Sequence, residues 1–204
     1  YNKGLSDFHA EHNWVMNFSY DLPFARDTTG VVRALAAGWR VSGIVNVRSG
    51  NPLTVFVQNN RSRSLWQPSL GPGIGRDRAS YAPGFGPDNA VAGDPHQWFN
   101  PAAFALPPAG TFGNTGRGDF IGPNLRTVDL SLVKDSAWPT LGRGGRLELR
   151  LEVFNLFNRA NFAPPTLIAF AGSADNEQPL ASFGRVRSTV TTARQMQLGV
   201  RVRF

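Results

Sequence analysis

Cysteine is absent from the 204 residues, which removes disulfides and thiolate metal sites but fits several compartments. Long hydrophobic runs are absent as well. No stretch approaches the roughly 18 consecutive apolar residues of a spanning helix. Methionine is missing from position 1, where Tyr1 stands, and no charged-then-apolar leader follows it, so the chain is expected to be a piece of a longer one. Acidic residues are few: 14 against 21 Lys and Arg give a net charge of +7 and a pI near 10.9. That balance raises nucleic acid as a partner. The arginines are nevertheless scattered, with no basic run, basic helix or aromatic platform, and no nucleic-acid partner is expected. A helical period is also lacking throughout.

What the chain has is alternation. Its last residues, QMQLGVRVRF, place Met196, Leu198, Val200, Val202 and Phe204 on one parity and Gln195, Gln197, Gly199, Arg201 and Arg203 on the other. Side chains of a strand point to opposite faces with period two, so this is a strand with one apolar and one wet face. Four earlier segments repeat it, giving strands near 12–22, 39–57, 126–134, 145–157 and 194–204. Trp14, Met16, Phe18, Tyr20 and Leu22 form the apolar row of the first. Trp39, Val41, Val45 and Val47, and later Leu53, Val55 and Val57, form that of the second. Val128, Leu130 and Leu132 mark the third, and Leu147, Leu149, Leu151 and Val153 the fourth. The fold class is all-β.

The connections alternate between short and long. Residues 23–38 and 134–145 make modest turns, whereas 58–124 and 158–193 are long, and 58–124 is rich in proline and glycine. Structureless loops of that length are unusual in a compact soluble domain. They match an antiparallel up-and-down transmembrane β-barrel, with long extracellular loops and short periplasmic turns. A periplasmic C-terminus puts both long loops outside and both short turns inside. The apolar rows carry Trp14 and Phe157 near outer ends and Tyr20, Trp39 and Phe204 near inner ends, as interfacial girdles require. A β-sandwich also alternates, but it needs more strands and shorter links. The wet parity is then the lumen, bearing Arg40, Arg48, Arg146, Arg150, Arg201 and Arg203 against Asp21, Asp129, Glu148 and Glu152. In hydrocarbon such arginines would each cost about 2–4 kcal/mol near the midplane, whereas in a polar interior they can pair across strands. Five strands cannot close a barrel, so further strands are expected before Tyr1.

The stretches GWRVSGIVNVRSGNPLTV, WFNPAAFALPPAGTFGNTGRGDFIGPNLRTVDLSLVKD, LRLEVFNLFNRANF and FGRVRSTVTTARQMQLGVRVRF closely resemble the C-terminal end of TonB-dependent outer-membrane receptors. The similarity is to the Oar-like group, whose members usually begin with a carboxypeptidase-regulatory-like domain, and it covers nearly the whole chain. It implies a plugged barrel of about 22 strands, of which this chain is the C-terminal part. The plug and the TonB-contacting segment of that family lie upstream of the residues present. The resemblance also implies that the terminal strand, through Leu198, Val200, Val202 and Phe204, is the signal read by the outer-membrane assembly machinery. Its motifs mark architecture and carry no ligand identity.

Other motifs carry less. HAEH sets His9 and His12 around Glu11, but there is no helix to align them and no third ligand nearby, so neither a metal nor a cofactor is expected. His96 stands alone in a loop. GPGIGRD, at 71–77, lacks the strand, helix and Gly-Lys-Ser/Thr of a phosphate loop, and GRGG, at 142–145, reads as a turn. No nucleophile has a base at a meaningful spacing, and no enzyme is expected. The first long loop gathers Arg61, Arg63, Trp66, Arg76, Arg78, Tyr81, Trp98 and Phe99, side chains favoured in ligand contacts that can equally pack the loop on itself. The expected function is a TonB-dependent receptor importing a large, scarce solute, its partners being outer-membrane lipid, the assembly machinery, TonB and the solute. Two alternatives are a structural or adhesive outer-membrane barrel and a secreted soluble β domain binding polysaccharide.

Overall fold

The computed structural model describes residues 3–25, 27–64 and 76–204. In chain order the elements are β1 (Asn13–Asp21), helix α1 (Gly30–Ala36), β2 (Trp39–Arg48), β3 (Pro52–Leu53), β4 (Phe56–Val57), β5 (Ser80–Tyr81), β6 (Val91–Asp94), β7 (Gln97–Phe99), β8 (Phe104–Ala105), β9 (Phe120–Ile121), β10 (Leu125–Ala137), β11 (Arg146–Phe154), β12 (Ile168–Phe170) and β13 (Gln195–Arg203). They divide into two compact units. The sheet unit takes residues 12–48, 125–160 and 191–204, and the loop unit takes 1–11, 49–124 and 161–190.

The sheet unit is a five-stranded antiparallel meander in the order β1-β2-β10-β11-β13. Its register is unbroken and keeps the two parities apart. Trp14 faces Val47, Met16 faces Val45 and Tyr20 faces Val41. Across the next pairs Leu132 lies between Val41 and Leu151, and Leu151 faces Leu198. A slip of one residue would exchange the apolar and charged faces, so the alternation itself fixes the pairing. Gly43 serves this packing directly, because a Cβ there would stand 2.9 Å from the Phe18 ring and 2.7 Å from Leu130. The glycine is the space into which its cross-strand neighbour's ring leans.

The boundaries differ from expectation at three strands, the third running on to Ala137. The second strand stops at Arg48 and does not run to Val57. At Gly50 the backbone passes Gly122 so closely that a Cβ would lie 1.9 Å from its carbonyl oxygen, which only glycine permits. Pro52–Leu53 then pair with Phe120–Ile121, and Phe56–Val57 pair in parallel with β12. Leu53, Val55 and Val57 keep their parity but are buried in a different core. The fourth strand ends at Phe154, since Asn155 takes φ 51° and its amide donates to the carbonyls of Arg159 and Thr192. Phe157 therefore lies beyond the strand, exposed. The first connection also holds a short helix that no sequence period announced.

The described parts of the long connections are folded. The loop unit has a core of Leu53, Val55, Val57, Phe99, Phe104, Phe120, Phe170 and Phe183, all at most 5% exposed. Phe99 stacks on Phe183 at 5.4 Å with the rings 3° from parallel, and meets Phe104 and Phe120 edge-on. Each such pair adds about 0.5–1.5 kcal/mol beyond its buried area, which is how a segment rich in proline and glycine acquires a fixed structure.

Candidate functional site: the charged face of the sheet

Strand parity delivers the site. By register Arg40, Arg48, Asp129, Arg146, Glu148, Arg150, Glu152, Arg201 and Arg203 share one face of the five strands, together with Asp21. Ser19, Ser42, Asn46, Thr127, Ser131 and Gln197 fill positions between them. Arg150 lies between two carboxylates of its own strand, 3.0 Å from Glu148 and 3.6 Å from Glu152. Arg40 Nε meets Asp21 Oδ1 at 2.6 Å across the β1–β2 pair. Arg146 Nε meets Asp135 Oδ1 at 3.2 Å across the β10–β11 pair. Asp129 instead accepts the Asn155 backbone N–H at 2.7 Å, which holds the turn that ends β11.

Two details depart from the sequence reading. Arg146 pairs with Asp135, an acid outside the expected wet row, because β10 runs three residues past Lys134 and brings a fifth acid to the face. The wet row then counts six arginines against five acids, a smaller excess than the sequence suggested. Lys134 hid this signal. It falls on the apolar parity and breaks the alternation, as do Val133 and Ser136, although Asp135 keeps to the wet parity. Among the described residues Arg48, Arg201 and Arg203 hold no ion pair, so the uncompensated charge sits at the two ends of the face.

The middle of this face forms an open groove of about 470 Å³ whose lining includes Asn17, Arg40, Asp129, Ser131, Arg150 and Glu152. Exposed pairs of this kind are worth about 0–1 kcal/mol each, so they contribute little to holding the strands together. What they supply is a surface of fixed, nearly balanced charge. Such a surface lets water and polar solutes lie against the sheet without a buried unpaired ion. The opposite face carries Met196, Leu198, Val200 and Val202 on β13, with Phe204 just beyond it, all exposed.

The loop residues suggested as ligand contacts have varied placements. Arg61 is buried and ties its own segment to two others, through the carbonyls of Pro107 and Ala174 and the carboxylate of Asp175. Arg78 and Phe99 are buried, Phe99 in the centre of the aromatic core. Trp98 packs half-buried against that core, and Arg76 is half-buried. Tyr81 donates its hydroxyl to Asp119 at 2.9 Å, and burial, reinforced by that carboxylate, raises its pKa above the usual tyrosine range. Arg63 is exposed with φ 59°. Trp66 lies outside the described residues, as does most of GPGIGRD. Loop self-packing accounts for Arg61, Arg78, Tyr81, Trp98 and Phe99. His9 and His12 are exposed, and no cluster of three His, Asp or Glu side chains suited to a metal occurs among the described residues.

Comparison with known proteins gives one match. The model of a family described as an outer membrane beta barrel domain fits residues 1–197. No curated protein and no solved structure matches the chain.

Proposed function

Because the chain belongs to the outer membrane beta barrel domain family and so resides in the bacterial outer membrane, we propose that its sheet is the C-terminal part of the barrel wall of a TonB-dependent receptor of the Oar-like group, importing a large, scarce solute. The observation that carries this reading is the charged face. It continues across all five strands, nearly balanced in sign, opposite an apolar face of the same extent. A polar interior wide enough to conduct or hold a solute needs such a wall, whereas small barrels fill their interior with packed side chains. β1 and β13 each pair along one edge only, and open edges are not tolerated in hydrocarbon. Further strands therefore complete the wall, and a plug and a TonB-contacting segment belong with them in this reading.

The soluble polysaccharide-binding alternative is set aside by membership of the family, which belongs to the outer membrane. The adhesive alternative has one observation in its favour. The long connections form a compact unit with its own aromatic core, a suitable platform for contacting another surface. Both readings involve binding without a chemical step. They separate in whole cells carrying the intact gene or its deletion, scored for uptake of radiolabelled oligosaccharides, peptides and metal chelates with and without a working TonB system. Uptake lost on deletion and on TonB inactivation alike supports transport. Uptake unchanged by either, with loss of attachment to matrix or neighbouring cells, overturns it in favour of adhesion.

A further inference from the structure

The connection between β1 and β2 contains a feature that barrel closure does not require. Helix α1 buries none of its side chains. Val31, Val32 and Leu35 are 74%, 59% and 69% exposed, and Phe24 just before the helix is 55% exposed. At about 100° per residue, Val31, Val32 and Leu35 fall within one third of the helix circumference while Arg33 points away from them. The helix is thus amphipathic, with its apolar side uncovered.

Its attachment tells which side of the sheet it belongs to. Trp39 donates its indole N–H to the Leu35 carbonyl at 2.9 Å, and the Lys134 ammonium donates to the Ala37 carbonyl. Lys134 also stands 5.8 Å over the Trp39 ring. Both side chains lie on the apolar parity, opposite one another in the β2–β10 pair. They satisfy carbonyls that the end of the helix would otherwise leave orphaned, and the cation suits the negative pole there. The helix C-terminus is therefore fastened to the lipid-facing row, not to the charged face.

We propose that α1 is an interfacial anchor seated on phospholipid at the short-connection end of the sheet. Val31, Val32 and Leu35 enter the boundary between headgroups and acyl chains, and the exposed Arg33 faces lipid phosphates. Two observations select lipid as the occupant. The C-terminal end of α1 is joined through Trp39 to the apolar row of β2, and its one cation, Arg33, complements phosphate. Short connections of outer-membrane barrels face the periplasm, so the leaflet engaged is the phospholipid one.

The test uses the whole protein in vesicles of phosphatidylethanolamine and phosphatidylglycerol. Single cysteines replace Val31, Val32, Leu35 or Arg33, taking advantage of the absence of cysteine from these residues. Each carries an environment-sensitive fluorophore and is scored once heat-modifiable migration shows the barrel folded. Labels at Val31, Val32 and Leu35 should be quenched by lipid-borne nitroxide and protected from aqueous iodide on the order of threefold relative to Arg33, as expected for a helix lying in the interface. Equal iodide access at all four positions overturns the proposal. So does shielding from both quenchers, which would mean that a second copy or another protein covers the helix. A label at Leu149→Cys, in the apolar row of β11, separates the failures. If it too escapes lipid quenching, the membrane placement of the sheet itself is at fault.

Discussion

Gly43 faces Phe18 on the apolar side of the β1–β2 pair, where a Cβ would press on that ring and on Leu130. Gly43→Val is therefore an overpacking change, expected to cost about 1–3 kcal/mol even though valine suits a strand in lipid. The midpoint of urea-induced loss of heat-modifiable migration measures it, and an unchanged midpoint would refute the packing role. In the loop unit Glu177 accepts the backbone N–H groups of Gly172, Ser173 and Ala174 within 2.7 Å. These bonds, that of Gly172 first, hold its pKa below the ordinary value of 4.5. A depressed carboxylate contributes stability above its unfolded pKa and loses it as pH falls through the folded one. Amide protection at 172–174, corrected for intrinsic exchange, should thus fall as pH drops below about 4.5, whereas Glu177→Gln should show weaker protection at neutral pH and no such drop.

At the scale of the element, strand parity is the claim most open to test. Leu198 faces Leu151 on the apolar side of β13, and the adjacent Gln197 faces Glu152 on the charged side. Leu198→Arg should destabilise the barrel by about 2–4 kcal/mol, the cost of arginine near the bilayer midplane. Gln197→Arg should stay within about 0.5 kcal/mol, as a surface change beside a carboxylate. Equal losses in a folding titration would remove the distinction between the two faces. The strands were readable because period two is a local property, and all five were located within three residues at either end except where β2 stops. The stops of β2 and β11 were not readable. Beyond Arg48 the alternation continues through Leu53, Val55 and Val57, so nothing local says that the partner has changed. At Asn155 a left-handed residue and its amide contacts end the strand in mid-pattern. Helix α1 escaped for the opposite reason, since seven residues are too few to display a helical period.

At the scale of the whole molecule, the two units rest on different physics. The sheet unit leaves its apolar side exposed, and the loop unit turns its apolar side inward to a phenylalanine core. Phe99→Ala should cost the loop unit about 3–5 kcal/mol, since Phe99 touches Phe104, Phe120 and Phe183. Limited proteolysis should then cut 76–124 while heat-modifiable migration of the barrel persists. Loss of both together would mean that one core supports the whole chain. The sequence by itself determined the all-β class, the two faces of each long strand, the charged residues of the wet face and the alternation of long and short connections. All of these follow from side-chain periodicity and composition, which are local. Only the tertiary structure decided that the described parts of the long connections fold, that Arg61 and Phe99 serve their interior, that Asp135 joins the charged face and that α1 is tied to the apolar side of the sheet. Those outcomes depend on partners distant in the chain, such as Leu53 with Phe120, Phe56 with Ile168 and Arg61 with Asp175, and no local pattern encodes which distant residue will be met.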